Sequence, residues 1–170
     1  LEYLHKALDP DTRGKLITPT GAADGAYFFD FLTVDLGVVR RWRTRLHLYA
    51  VAASTGTRED RGRILRGADA LVVVVDSDPD RLDANRQALG TLQGDLKSLE
   101  LESDTLVASF QYNKRDLADA VPVERLEERL NPAGLPYHEA VARRGDGVVE
   151  TLEEVSFRVI RGLELPGGAA

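Results

Sequence analysis

Residues 71–76 read Leu-Val-Val-Val-Val-Asp, an unbroken apolar run of strand length that ends in a carboxylate. A strand that is apolar at every position is typical of a parallel sheet with helices on both faces. Leucines then recur at helical spacing, at Leu82, Leu89, Leu92, Leu96 and Leu99. The run therefore predicts a central strand of an α/β fold, followed by a long amphipathic helix.

Downstream of this helix, the alternation of strand and helix continues to the end of the chain. Further strands and helices are predicted in turn at residues 105–112, 123–130, 137–141 and 148–163. Asn131 and Pro132 supply a clear stop signal for the helix before them. Repeated alternation of this kind predicts a three-layer α/β sheet.

Upstream of the valine run, the pattern is that of an antiparallel β-hairpin. Side chains alternate over residues 28–36 and again over 43–51, and Gly37 is predicted to supply the turn between them. The leucine spacing of residues 1–8 predicts a helix. Residues 9–25 and 52–62 have loop composition, and the second loop is predicted to be mobile. The sheet is thus expected to be mixed, mostly parallel, with one hairpin.

The composition is that of an ordinary globular domain. The chain has 170 residues, 43% of them hydrophobic, and no apolar run reaches the roughly eighteen residues that a membrane span needs. A net charge of −6 gives no support for nucleic-acid binding, and the absence of cysteine excludes thiolate nucleophiles. We predict one cytoplasmic domain over residues 1–165, a flexible tail at 166–170, and no metal-ligating cluster.

The residues most informative about function follow the strand that ends near residue 112. Ligands of parallel sheets bind beyond the carboxyl ends of the strands. There the sequence reads Asn113-Lys114-Arg115-Asp116. A fixed carboxylate at Asp116 can accept hydrogen bonds from the ring N1–H and the exocyclic amine of guanine, a pair that adenine does not present. The apolar stem of Lys114 can cover one face of the base, while Asn113 ties the loop to neighbouring segments.

A second loop is predicted to complete this base site. After the next strand come Val141 and Ala142, and the small Ala142 lets a backbone N–H approach the guanine carbonyl oxygen. The alternative is that Asp116 merely caps a solvated helix. The predicted nucleotide-binding residues are Asn113, Lys114, Asp116, Val141 and Ala142.

Five stretches extend this pattern: FFDFL at 28–32, TRLHLY at 44–49, ILRGAD at 64–69, QYNKRDL at 111–117 and EAVA at 139–142. They resemble segments of Ras-like small GTPases, most of all those of the bacterial MglA type of gliding motility and cell polarity. The resemblance implies a P-loop NTPase fold that binds GTP or GDP with Mg²⁺. In that family, a first strand and a Gly-x-x-x-x-Gly-Lys-Thr phosphate loop precede the segment matching Leu1, so both are expected to be missing from this chain.

The same resemblance places the two switch loops on unusual residues. The family's switch arginine and the threonine after it fall on Gly25 and Ala26, and its Pro-Gly-Gln falls on residues 52–54, Ala-Ala-Ser. Gly25 offers no guanidinium, and Ser54 is too short to position water as glutamine does. We assign no catalytic residue and expect weak hydrolysis or none. The alternative is a pseudo-GTPase that serves as a protein-interaction module without nucleotide.

Asp76, Asp78 and Asp80 follow the valine run and admit more than one interpretation. A cation site is one, and a receiver-type signalling domain with Asp76 as phosphoacceptor is another. Acids are favoured at the start of a helix in any case. The early hairpin also breaks the strand–helix alternation expected of a receiver domain.

The hairpin carries a basic, aromatic stretch of four residues, Arg40, Arg41, Trp42 and Arg43. Tryptophan and arginine are enriched at interface hot spots, so this stretch predicts a docking patch. The family resemblance implies a dimeric roadblock-fold regulator, MglB-like, as the partner. The alternative is a solvated strand edge that protects against aggregation.

Overall fold

The computed structural model describes residues 1–18, 29–39, 41–52, 56–101 and 106–162. Its contacts separate two compact units, Leu1–Thr57 and Arg58–Ala170, which are described in turn. The single domain over residues 1–165 stays a prediction. Several predicted positions lie outside the described residues, namely Gly25, Ala26, Arg40, Ala53, Ser54 and the tail at 166–170.

The N-terminal unit contains helix α1 (Glu2–Ala7) and a hairpin of β1 (Phe29–Val39) and β2 (Trp42–Val51). The two strands pair antiparallel, from Phe29 opposite Val51 to Val39 opposite Trp42. On one face of the hairpin, Leu32 and Val34 are almost completely buried. The predictions of an N-terminal helix and of a hairpin are confirmed.

Gly37 does not form the hairpin turn, so this prediction is wrong. It lies inside β1 with a φ of +68°, where the register shifts between Asp35 and Gly37. A bulge admits one extra residue, here Leu36, and the positive φ at its end favours glycine. The strand therefore continues to Val39, past its predicted end, and Val39 pairs with Trp42.

Part of the predicted loop after α1 pairs with β1. Isolated antiparallel bridges join Arg13 to Val34 and Ile17 to Phe31. Ile17 and Phe31 exchange two N–H to carbonyl hydrogen bonds, each of 2.9 Å. The segment from Arg13 to Ile17 therefore satisfies backbone groups on the side of β1 that β2 leaves open.

Within the described ranges, the C-terminal unit is a three-stranded parallel sheet between helices. Its elements are α2 (Arg58–Leu65), β3 (Ala70–Asp76), α3 (Leu82–Ser98), β4 (Val107–Asn113), α4 (Val123–Leu130), β5 (Tyr137–Glu139) and α5 (Val148–Gly162). The strand order is β3-β4-β5. The register places Asp76 beside Asn113, so the carboxyl ends of β3 and β4 are level.

The apolar core lies on the face of the sheet covered by α3 and α4. It consists of Val75, Phe110, Tyr112, Val121, Leu126 and Leu130. Helix α5 covers the other face, where Gln111 donates to Thr151 Oγ1 at 3.1 Å and Arg158 donates to the carbonyl of Ala108 at 2.8 Å. The three-layer prediction is confirmed for this unit.

The element bounds of this unit follow the sequence pattern closely. Helix α4 spans residues 123–130 as predicted, and α3 matches the leucine spacing. Strand β5 ends earlier than predicted, because Val141 bridges Asp146 instead of extending the strand. No helix in the described part of the chain combines the length and the apolarity needed to cross a membrane.

The valine run is not covered on both faces, which corrects the prediction made from it. Val73 and Val75 face the core, but Val72 is 39% and Val74 58% exposed. Among the described strands, β3 is an edge strand of its sheet, and α5 packs mainly over β4. The outer valines of β3 therefore lie beyond the cover that α5 provides.

Helix α2 begins at Arg58, inside the stretch predicted to be a mobile loop. Its sequence, Arg-Glu-Asp-Arg-Gly-Arg-Ile-Leu, has no apolar periodicity that would predict a helix. Asp95 of α3 is buried and accepts a hydrogen bond from Arg61 Nε at 2.8 Å, with Arg58 Nε at 3.2 Å from its other oxygen. Two guanidinium groups thus compensate the buried carboxylate, and this tertiary contact holds α2 in place.

Candidate functional site

The predicted base-binding motif turns sharply at the end of β4. Asn113 is the last residue of that strand. Lys114 then adopts a left-handed backbone conformation, with a φ of +63°, and its carbonyl accepts the N–H of Leu117 at 3.2 Å. This conformation is unfavourable for a residue with a side chain, and such residues cluster at binding loops.

Asn113 and Arg115 connect this turn to the loop after β5. Asn113 Oδ1 accepts the N–H of Ala142 at 2.9 Å. Arg115 donates through Nε to Glu139 Oε2 at 2.8 Å and through its backbone N–H to the carbonyl of Ala140 at 3.1 Å. Residues 113–116 and 139–147, named the base loops from here on, therefore form one hydrogen-bonded frame.

The structure gives Ala142 and Val141 supporting contacts within this frame. The N–H of Ala142, predicted to approach the guanine carbonyl oxygen, is donated to Asn113. Val141 is buried, and its N–H is donated to the carbonyl of Asp146 at 3.0 Å. A guanine carbonyl oxygen therefore has to share or replace the Asn113 contact in order to bind the N–H of Ala142.

Gly147 closes the second base loop at a point where no side chain fits. Its φ is +72°, and a Cβ atom built on it would lie 2.0 Å from the carbonyl oxygen of Glu139. Real Cβ atoms do not approach an oxygen this closely, and the left-handed backbone adds a further cost. Glycine at this position lets α5 begin directly beneath the end of β5.

Asp116 is paired with the arginine that follows Ala142. The guanidinium of Arg143 donates to Asp116 Oδ2. The Asp116 side chain is 16% exposed, although the residue as a whole is exposed, whereas the Arg143 side chain is 77% exposed. The carboxylate predicted to recognise guanine is thus shielded on most sides and meets a positive charge on its open side.

Lys114 extends in the opposite direction, across the end of the sheet towards β3. Its Nζ donates to Asp76 Oδ2 at 2.6 Å. Asn85 of α3 fixes the backbone of Asp76, donating to its carbonyl at 2.8 Å and accepting its N–H at 3.3 Å. The lysine stem is therefore stretched between β4 and β3.

The acidic residues after β3 serve the start of α3. Asp76 Oδ1 accepts the N–H of Asp78 at 3.1 Å, and Asp78 Oδ1 accepts the N–H of Asp80 at 2.9 Å, capping a short 3₁₀ turn (Pro79–Arg81). Within the residues that the structure covers, no group of three or more histidine, cysteine or acidic side chains is arranged to hold a metal ion. The backbone N–H groups that Asp76 and Asp78 accept are those expected of carboxylates at the start of a helix.

Sequence reasoning missed two contributors to this site, Arg115 and Arg143. Arg115 occupies the position of the motif that any residue can fill, and Arg143 lies one residue beyond the predicted loop. The available signal was charge: each base loop carries a basic side chain opposite an acidic one on the other loop, at Glu139 and Asp116. Only the fold reveals which charges meet.

Three of the predicted docking residues, Arg41, Trp42 and Arg43, lie at the far end of the hairpin, and together with Val38 and Val39 we name them the hairpin tip. Trp42 is 71% and Val38 72% exposed, and Arg41 is exposed as well. Val39 lies opposite Trp42 in the strand register. The indole ring therefore projects from the first residue of β2 and is not part of a core.

Two arginines of β2 share one carboxylate beside the hairpin tip. Arg43 lies 3.1 Å and Arg45 3.2 Å from Asp35 Oδ2. The hydrogen bond from the Gly37 N–H, followed by those from Arg43 and Arg45, lowers the pKa of Asp35 below its usual value. Because the carboxylate stays ionised at neutral pH, the positive charge of the patch is partly neutralised.

Comparison with known proteins identifies a relative of this chain. The Mutual gliding-motility protein MglA of Myxococcus xanthus (strain DK1622) is 38% identical over 167 residues, which cover 98% of this chain and 86% of that protein. The chain belongs to the MglA family of Ras-like small GTPases. No protein-family model matches the chain.

Membership of the MglA family agrees with the architecture. A parallel sheet and an antiparallel hairpin in one mixed α/β chain are consistent with a Ras-like fold. Membership also excludes the receiver-domain interpretation, in which Asp76 accepts a phosphoryl group. In the structure that carboxylate is engaged by Lys114 and by the N–H of Asp78.

Proposed function

We propose that this MglA-family protein is a cytoplasmic guanine-nucleotide switch in gliding motility or cell polarity, with weak intrinsic hydrolysis. The identity to MglA supports the class of protein. The observation that carries the proposal is the hydrogen-bonded frame of the base loops. In this frame Asn113 accepts the N–H of Ala142, and Asp116 accepts from Arg143, the next residue. Such a preorganised frame fits a flat, hydrogen-bonding ligand.

The chemistry of the frame favours guanine. The two carboxylate oxygens of Asp116 match the N1–H and exocyclic amine donors on one edge of that base. The stem of Lys114, held by Asp76, supplies an apolar surface for the ring. Adenine offers an acceptor at the equivalent ring nitrogen, which would face the carboxylate and repel it.

In this proposal, the phosphates of GTP or GDP and their Mg²⁺ are bound by a phosphate loop of the family type. Its backbone N–H groups and lysine would hold the phosphates, and its hydroxyl would bind the metal ion. The residues of this chain are assigned only the recognition of the base.

Calorimetry with GDP and ADP tests base choice. GDP is expected to bind more tightly by several kcal/mol, because a ligand without matching donors leaves a shielded carboxylate unpaired. Asp116→Asn is expected to abolish this preference. Asp119→Asn, an exposed aspartate three residues further along, serves as the control and should preserve it. Equal affinity of the unmodified protein for GDP and ADP would rule out the assignment.

Hydrolysis of GTP is proposed to be slow because the switch positions Gly25 and Ser54 lack the usual side chains. Single-turnover measurements on the protein alone should give a rate on the order of 10⁻⁴ per second or less. Faster turnover without an activator would show that these switch residues are wrongly assigned. A protein that binds its partner but no nucleotide would instead support the pseudo-GTPase alternative.

The proposed partner is a dimeric roadblock-fold regulator that docks on the hairpin tip. Trp42 and Val38 offer exposed apolar area, and Arg41 adds an exposed charge beside them. Large rigid aromatic side chains next to arginine are the usual composition of an interface hot spot.

A further inference from the structure

We propose that Arg143 gates the base site by competing with guanine for the carboxylate of Asp116. The inference rests on the proposed function, since it assigns a role to the residue that covers the proposed guanine-recognising group. In this structure, the guanidinium of Arg143 donates to Asp116 Oδ2. The same oxygen is one of the two that guanine needs.

The competition follows from chemical similarity between the two groups. The edge of guanine that carries N1–H and the exocyclic amine presents two neighbouring N–H donors in one plane. An arginine side chain presents the same planar pair of donors, with a positive charge added. Both groups satisfy a carboxylate in the same way, so Asp116 binds either one, but not both in full.

The geometry lets this gate open without disturbing the loop. The Arg143 side chain is 77% exposed, so it can rotate into solvent. The backbone just before it stays fixed by the hydrogen bond from the Ala142 N–H to Asn113. Adenine lacks the donor pair that replaces the lost ion pair, so it has no group with which to displace Arg143.

Arg144, the next residue in the loop, pairs with a different carboxylate and not with Asp116. Arg144 donates through Nε and Nη2 to Asp146 Oδ2, at 2.9 and 2.6 Å, and is also exposed. It is the same residue type, in the same loop, with its own carboxylate two residues away. Arg144→Ala is therefore a matched control for Arg143→Ala.

Guanosine is the appropriate probe because it carries the base without phosphates. Titration of the isotopically labelled chain, followed by NMR, gives its affinity for the unmodified protein and both variants. Arg143→Ala is expected to bind guanosine roughly twofold to fivefold more tightly, the range for removing a largely exposed ion pair. Arg144→Ala should match the unmodified protein. Unchanged or weaker binding by Arg143→Ala would overturn the gate.

Salt gives a second, independent readout. Guanosine is uncharged, so its own contact with the site depends little on ionic strength, whereas the Arg143 pair is screened by salt. Raising the salt concentration from about 0.05 M to about 0.5 M should tighten guanosine binding to the unmodified protein and leave Arg143→Ala unchanged. The same response in both proteins would contradict the proposal.

The outcomes separate this inference from the function on which it rests. If guanosine binds the unmodified protein but Arg143→Ala has no effect, only the gate is overturned. If guanosine binds none of the three proteins while their spectra remain those of folded chains, guanine recognition and the gate are both overturned.

Discussion

The base loops and the hairpin tip present the groups proposed for recognition in opposite ways. In the base loops, Asn113, Arg115 and Asp116 all bind the facing loop, so the groups that would recognise a ligand also hold the structure together. At the hairpin tip, Trp42 and Val38 extend into solvent. We therefore expect substitutions in the loops to change stability and recognition together, and substitutions at the tip to change recognition alone.

The substitution expected to destabilise the base loops most is Gly147→Ala. A Cβ atom at this position would lie 2.0 Å from the Glu139 carbonyl oxygen, on a backbone with a φ of +72°. We expect a loss of about 3 kcal/mol in the free energy of unfolding, measured with a chemical denaturant, because the loop has to shift.

Gly134→Ala is the matched control for this substitution. Gly134 also has a positive φ, +64°, but nothing lies within 4 Å of the Cβ position. It should therefore show only the backbone cost of about 1 to 2 kcal/mol. Equal losses for the two variants would mean that the close approach at Gly147 has no energetic weight.

The next largest loss of stability is expected in the core beneath the base loops. Tyr112 is fully buried and donates its hydroxyl to Glu127, which also accepts from Asn131 Nδ2 at 3.1 Å. Tyr112→Phe removes one donor from this group, and we expect a loss of about 1 to 2 kcal/mol in denaturant unfolding. Tyr137→Phe, which alters a half-exposed phenol, should change stability by less than about 0.5 kcal/mol. Similar losses in both would argue against the buried network.

The Tyr112 contribution also has a definite pH dependence. Burial, followed by the contact with Glu127, raises the pKa of Tyr112 far above its ordinary value. The folded state therefore favours the neutral phenol, and this contribution is complete below the unfolded pKa of about 10. Above that pH, the unfolded chain ionises first and the contribution declines. Unfolding curves measured from pH 8 to pH 11 should show a smaller decline for Tyr112→Phe.

The smallest effect on stability is expected at the hairpin tip. Trp42→Ala removes a side chain that is 71% exposed, so the free energy of unfolding should change by less than about 0.5 kcal/mol. Binding of a roadblock-fold regulator should weaken by about 2 kcal/mol or more. Phe157→Ala, at an exposed aromatic residue of α5, is the control and should leave this binding unchanged. Normal regulator binding by Trp42→Ala would move the docking surface elsewhere.

The sequence predicts those parts of the molecule whose signals are local. The stop at Asn131 and the leucines of α3 are readable because each helix end and face is encoded by neighbouring residues. Gly37 misleads because a turn and a bulge both use glycine with positive φ. The choice between them depends on strand pairing, which one strand alone does not reveal.

The missed parts depend on contacts between distant segments. Helix α2 exists because Arg58 and Arg61 meet a carboxylate on α3, 34 residues beyond Arg61. The pairing of Arg143 with Asp116 spans 27 residues and requires the ends of β4 and β5 to be adjacent. Charges leave no periodic pattern in the chain, so such pairs are visible only after the fold is known.

The attachment of α2 to α3 has a thermodynamic consequence. Its N-terminal half is held by the ion pairs to Asp95, while its buried residues, Gly62 and Leu65, lie in the other half. Separating guanidinium groups from a carboxylate exposes little hydrocarbon to water, so this half can detach with almost no change in heat capacity. Its opening equilibrium therefore lacks the curved temperature profile of core unfolding. A calorimetric scan would not detect this opening. Its frequency would depend more on salt concentration than on temperature.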